Sequence, residues 1–208
     1  MNIDQLIVDS IYFLALINPV SKVFLLSSLD PQISQKELTK VSINSSAAAF
    51  IILCLFTAAG LFLFKSIFKI DIYSLKVAGG IILSIIGIRA VTRGAFYEKA
   101  IERKISSELE FSVVPLGAPL IAGPGTITGA ISLSSEHGFI MTTASLTIAL
   151  LINFFFMVGS FWIGKFLQKM HAIGAVIRIT GLIVSAIAIQ MILNGLKEWI
   201  GIALRINS

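Results

Sequence analysis

The sequence predicts an all-α integral membrane protein. Six transmembrane helices form two inverted three-helix repeats, and helices 1 and 4 are broken at mid-depth. Three observations carry this expectation. The 208 residues are 56% hydrophobic and only 13% charged, whereas soluble domains carry about 25% charged residues. Six apolar segments of roughly transmembrane length alternate with polar ones. The first and fourth of these segments each contain a proline flanked by small or polar residues.

A membrane-crossing helix needs roughly 20 apolar residues. The expected spans are residues 5–29, 41–64, 72–88, 111–135, 139–164 and 179–196. Span 1 contains Pro19 and Lys22, and span 3 has Lys76 near its start. Span 6 is followed by Lys197-Glu198-Trp199, a combination suited to the interface. The chain reads as one membrane domain over 1–208: a first repeat over about 1–92, a polar linker over about 93–110, and a second repeat over about 111–208.

Orientation follows from the basic residues. Lys22, Lys36, Lys40, Arg89, Arg93, Lys99, Arg103, Lys104, Lys165, Lys169 and Arg178 fall on the side of the odd loops. Lys65, Lys69, Lys76, Lys197 and Arg205 fall on the other. Basic loops stay cytoplasmic, so the odd loops and the linker are expected in the cytoplasm and both termini in the periplasm.

The two halves match in order. "NPVS" at 18–21 corresponds to "GPGT" at 123–126, and "KVAG" at 76–79 to "RITG" at 178–181. With three spans each, the second half must enter the membrane upside down relative to the first. Secondary transporters commonly use this inverted repeat.

The breaks have a direct reading in backbone chemistry. Proline lacks the N–H that a helix interior needs, and its ring clashes with the preceding turn. It suits the first position of a new helix, and asparagine is a favoured N-cap. Asn18-Pro19 therefore marks the end of one half-helix and the start of another. Gly123-Pro124-Gly125 reads the same way, with Ser21 and Thr126 at the third position of each new half-helix. In the orientation above, the two new N-termini face each other near the midplane. Helix N-termini carry free N–H groups and partial positive charge. The candidate substrate-binding residues are thus Asn18, Pro19, Ser21, Gly123, Pro124, Gly125 and Thr126, suited to a carboxylate or similar group. The alternative for any one such proline is a simple kink.

Other classes find little support. The net charge of +5 is spread between apolar segments, without the basic run of a nucleic-acid site. Cys54 is the one cysteine, so no internal disulfide or Cys/His metal set is expected. The first ten residues hold two Asp and no Lys or Arg, unlike a cleavable signal peptide. No G-x-S-x-G, H-E-x-x-H, P-loop or paired mid-span carboxylate is present, so neither an enzyme nor an ATP-driven pump is expected. Lys22 is read as a transport residue or as a snorkelling side chain. Asn153 and Gln190 are read as interhelical hydrogen-bonders or cavity residues, His137 and His171 as loop residues, and Gly79, Gly80 and Gly181 as points of close helix packing.

"VVPLGAPLIAGPGTIT" at 113–128 and "NPVSKVFLLSSL" at 18–29, with "LKVAGGIILSIIGIRAV" at 75–91 and "IRITGLIVSAIAIQMILNGL" at 177–196, resemble the MarC family of bacterial inner-membrane proteins. The resemblance spans nearly the whole chain outside the linker. It implies a six-spanning protein of the bacterial inner membrane, grouped with LysE-type amino-acid exporters. Some members are described as carriers of small neutral amino acids such as glycine and alanine. Many members have glycine where this chain has Ser21 and proline where it has Phe24. The expected function is therefore secondary transport of a small solute, with a small neutral amino acid the leading substrate. The runner-up is a non-transporting scaffold or assembly protein, whose breaks would be packed against protein with no solvent-connected cavity. The expected partners are the lipid bilayer and a small-molecule substrate. No cofactor is expected; sodium and the proton are both compatible with the sequence as a coupling ion, and the sequence does not specify an oligomeric state.

Overall fold

The computed structural model describes residues 2–27, 34–94, 96, 117 and 120–206. Every regular element among them is helical. In chain order they are α1 (Ile3–Ile17), α2 (Pro19–Ser27), α3 (Gln35–Phe62), a π-helical turn (Leu63–Ile67), α4 (Ile72–Arg93), α5 (Pro124–His137), α6 (Phe139–Val158), α7 (Ser160–Lys169) and α8 (Ile173–Ile206). Five stretches among the described residues are long and apolar enough to cross a membrane: Ile3–Ser27, Gln35–Ile67, Ile72–Arg93, Phe139–Val158 and Ile173–Leu204. The expected fourth span falls partly outside the described residues. Its described helix, α5, has 14 residues, which at 1.5 Å per residue covers about two thirds of a 30 Å hydrocarbon layer. Most of the linker also lies outside them.

Local chemistry sets several helix ends. Ser34 caps α3 in a reciprocal box: its hydroxyl accepts from the Glu37 N–H, and its own N–H donates to the Glu37 carboxylate at 2.7 Å. Gly94 ends α4 in the left-handed region at φ 67°. The expected fifth span over 139–164 is not one helix. The chain breaks at Gly159, so α6 stops at Val158 and α7 starts at Ser160. The expected sixth span over 179–196 is the middle of the 34-residue α8. At about 51 Å that helix exceeds any bilayer core. The charges of Arg178 and Lys197 that bounded the apolar window do not stop a helix.

The packing is that of a membrane protein. Large apolar side chains point outward, among them Ile51, Leu55, Phe62, Phe155 and Leu182. Small and hydroxyl-bearing residues point inward: Ser42, Ser45, Ala49 and Thr57 of α3, and Thr142, Ser145 and Ala149 of α6. Their hydroxyls donate to carbonyls one turn back, for example Ser45 to Val41 at 2.7 Å and Thr142 to Gly138 at 3.0 Å. Hydroxyls satisfied within their own helix in this way let the helices approach closely.

The closest approach is between α4 and α8. A Cβ on Gly80 would lie 2.7 Å from the Ala188 carbonyl, and one on Gly195 would lie 2.7 Å from the Tyr73 carbonyl. One on Gly181 would lie 3.0 Å from the Gly87 carbonyl. The order of these contacts makes the two helices antiparallel. Gly80 and Gly181 are packing residues, as expected from the sequence. A Cβ on Gly79 would lie 2.6 Å from the Thr128 hydroxyl of α5, so Gly79 seats that helix.

Candidate functional site

Asn18 is at once the end of α1 and the start of α2. Its φ of 53° is left-handed, a conformation asparagine tolerates better than most residues. Its N–H donates to the Leu14 carbonyl at 2.9 Å, closing α1. Its side-chain oxygen accepts from the Ser21 N–H at 3.4 Å, capping α2. Pro19 then occupies the first position of α2, where its missing N–H costs nothing. Ser21 donates its hydroxyl to the Asn18 carbonyl at 2.7 Å, so that hydroxyl is already engaged locally.

The second break differs. Gly123 precedes α5 with extended backbone and offers no side-chain cap, and Pro124 follows at the first position. The first backbone bond of α5 runs from the Ile127 N–H to the Gly123 carbonyl at 2.9 Å. The N–H groups of Gly125 and Thr126 are therefore free donors at this helix start among the described residues. The Thr126 side chain is buried, at 3% exposure, with no hydrogen-bond partner among the described residues.

A cavity of about 40 Å³ joins the two breaks. Asn18, Gly123, Pro124, Gly125 and Thr126 line it, within apolar walls that include Leu83, Ile86 and Val184. Pro19 and Ser21 do not line it. By the space one water requires, roughly 10–15 Å³, it holds a few heavy atoms. Glycine at 125 matters here: a Cβ would come 3.1 Å from the Leu83 side chain.

Lys22 does not snorkel. It is 1% exposed, and its ammonium donates to the carbonyl of Ile17, the last residue of α1, and to that of Leu120 at 2.7 Å. Leu120 belongs to the short turn closed by the Ala122 N–H on the Gly117 carbonyl at 3.0 Å, just before the second break. One cation thus joins the chain ends that precede both breaks.

A second polar cluster lies towards the N-terminus of α1 and the C-terminus of α5. His137 is the last residue of α5 rather than a loop residue, and its Nδ1 lies 2.8 Å from an Asp9 carboxylate oxygen. Asp9 is 2% exposed and also accepts from Gln5 at 2.8 Å. Lys76 of α4 pairs with Glu136 of α5 at 3.0 Å and with Glu198 of α8. Asp9, His137, Lys76 and Glu136 border a cavity of about 230 Å³ that Tyr12, Ser132 and Asn194 also line. Between this vestibule and the cavity at the breaks, Leu16 and Tyr12 press on Gly129, whose Cβ would lie 2.9 and 3.1 Å from them.

The carboxylates of Glu136 and Glu198 are half exposed, so solvent screens part of their pairing with Lys76. Lys76→Met is expected to cost about 1–2 kcal/mol. That corresponds to roughly 2–8 °C in the unfolding midpoint of detergent-solubilised protein, and adding Glu136→Gln should recover part of it.

The remaining polar candidates lie elsewhere. The Asn153 amide donates to Met157 of its own helix at 3.2 Å, and its carbonyl oxygen has no partner among the described residues. Gln190 is exposed and bonds Asn194 at 2.8 Å. Neither bridges two helices. His171 sits in the turn between α7 and α8 with φ 53°.

An all-helical, multi-pass chain with an interior of small and hydroxyl-bearing residues and a helix broken inside its apolar core defines a polytopic integral membrane protein. The model of the MarC family integral membrane proteins matches residues 3–200, and the chain belongs to that family. It is 34% identical to a UPF0056 membrane protein of Pyrococcus horikoshii over 92% of this chain and 93% of that one. It is 32% identical to the UPF0056 membrane protein YvbG of Bacillus subtilis over 88% and 90%, and 30% identical to a UPF0056 membrane protein of Aquifex aeolicus over 89% of each. No solved structure matches.

Proposed function

We propose that this chain is a secondary transporter of small neutral amino acids, glycine or alanine in size. The substrate binds in the cavity between the two breaks. The observation that carries the reading is that one cavity is lined by both Asn18 and Gly123–Thr126, residues more than a hundred positions apart. The free N–H groups of Gly125 and Thr126 suit a carboxylate, and the Thr126 hydroxyl is available as a further donor. The small volume and the apolar walls favour a substrate with little or no side chain.

In this reading the two halves are inverted three-span repeats. The antiparallel pairing of α4 with α8 supports it, as do the reciprocal contacts of α1 with α6 and of α3 with α5. These are the pairings that an exchange of the halves would generate. The vestibule beside Asp9 and His137 is the route to the periplasm, shut here by Leu16 and Tyr12 on Gly129. Both termini are periplasmic, and the membrane is the bacterial inner membrane. Binding and release by alternating access involve no catalytic step.

The test is counterflow of labelled alanine and glycine in proteoliposomes. Saturable exchange is expected, reduced at least about tenfold by Thr126→Val, since removing a hydrogen bond to a charged group costs about 1.5–3 kcal/mol. Absence of flux from folded, inserted protein would overturn the amino-acid assignment.

A further inference from the structure

Two stretches of chain stop in the protein interior, α1 at Ile17 and the turn that holds Leu120, just before the second break. Their last carbonyls cannot bond onward, because the chain breaks at Asn18 and at Gly123. Helix C-termini carry partial negative charge. In transporters built on broken helices, unwound carbonyls and half-helix C-termini are where a coupling cation is coordinated. Here that place is occupied by part of the chain itself. The Lys22 ammonium is fully buried and donates to the Ile17 and Leu120 carbonyls. No carboxylate among the described residues pairs with it. A lone buried ammonium is costly. It is tolerated where the backbone presents converging negative ends.

We infer that Lys22 is a tethered cation: its ammonium fills the coupling-cation position between the end of α1 and the Leu120 turn before the second break, so that this chain operates without sodium. The inference rests on the transporter reading above and adds the coupling mode. It also explains why a lysine one turn past Pro19 points inward rather than to the interface.

The experiment compares wild type and Lys22→Ala in detergent, with sodium chloride titrated against choline chloride at constant ionic strength. The thermal unfolding midpoint is the readout. The wild type is expected to be indifferent to the cation. Lys22→Ala exposes the two carbonyls around a vacated space. It is expected to be destabilised in choline and to regain roughly 5 °C or more as sodium saturates that space. A sodium-dependent midpoint in the wild type would overturn the inference, as would a variant equally unstable in both salts. Should Lys22→Ala not fold in either salt, Lys22→Gln carries the same comparison, with the same two outcomes. Alanine counterflow separates this inference from the one it rests on. Wild-type flux that requires sodium overturns the tethered cation and keeps the amino-acid reading. A sodium response in the variant without any wild-type flux keeps the tethered cation and overturns the amino-acid reading.

Discussion

Gly87→Leu is expected to eliminate folded protein from membranes. Gly87 lies where α4 and α8 touch. A Cβ there would lie 2.8 Å from the Ser185 backbone nitrogen and 2.9 Å from the Gly181 carbonyl oxygen. These are main-chain atoms of a long helix and have no rotamer to yield, so the two helices must separate. Over-packing of a close interface costs about 1–3 kcal/mol when side chains adjust. Here the neighbouring contacts at Gly80, Gly181 and Gly195 open as well, and the loss should exceed about 3 kcal/mol, a large part of a typical total stability. Ile88→Leu, one residue on, is the control, because Ile88 is more than half exposed on the lipid side. Size-exclusion profiles of detergent extracts should show a monodisperse peak for Ile88→Leu and none for Gly87→Leu. Similar peaks from both would mean that α4 and α8 do not pack as described.

Asn18→Leu should be the most damaging change at the first break. Leucine removes the side-chain cap on the Ser21 N–H, worth about 1 kcal/mol. It also places a branched side chain at φ 53°, at a further cost of roughly 1–2 kcal/mol. The sum, about 2–3 kcal/mol, should lower the unfolding midpoint by roughly 4–12 °C. Asn18→Gly separates the two contributions. Glycine adopts the left-handed conformation freely and loses only a few tenths of a kcal/mol as a cap, so its midpoint should stay close to that of the wild type. In the transporter reading, alanine exchange falls in Asn18→Leu, where the cavity wall is reshaped. If Asn18→Leu were as stable as Asn18→Gly, the left-handed break would not be the feature that shapes this site.

The membrane class, the broken first helix and the start of α5 at Pro124 were legible in the sequence because each is decided locally. A proline has no N–H whatever surrounds it, and Asn-Pro or Gly-Pro-Gly prescribes a helix end and a helix start within four residues. The seating of Gly80 and Gly181 was legible for a related reason: small residues in an apolar helix are useful chiefly where another helix approaches. The limits of α8 were not, since a charge bounds an apolar window without ending a helix. The break at Gly159 carried too weak a local signal, for glycine alone is tolerated inside helices.

What only the tertiary structure decided concerns polar side chains and their partners. Lys22 had two readings along the chain. The choice was made by Leu120, 98 residues away, whose carbonyl gives the ammonium a reason to stay inside. Asp9 and His137 are 128 positions apart, and Lys76 is 122 from Glu198. No periodicity announces such pairs, because a hydrogen bond between elements depends on how the helices cross. The same holds for Ser21 and Thr126, equivalent by position in the sequence. Ser21 turns back to the Asn18 carbonyl, and Thr126 lines the cavity. Backbone breaks are written in residue type. The surroundings of a side chain depend on which helix comes to lie beside it.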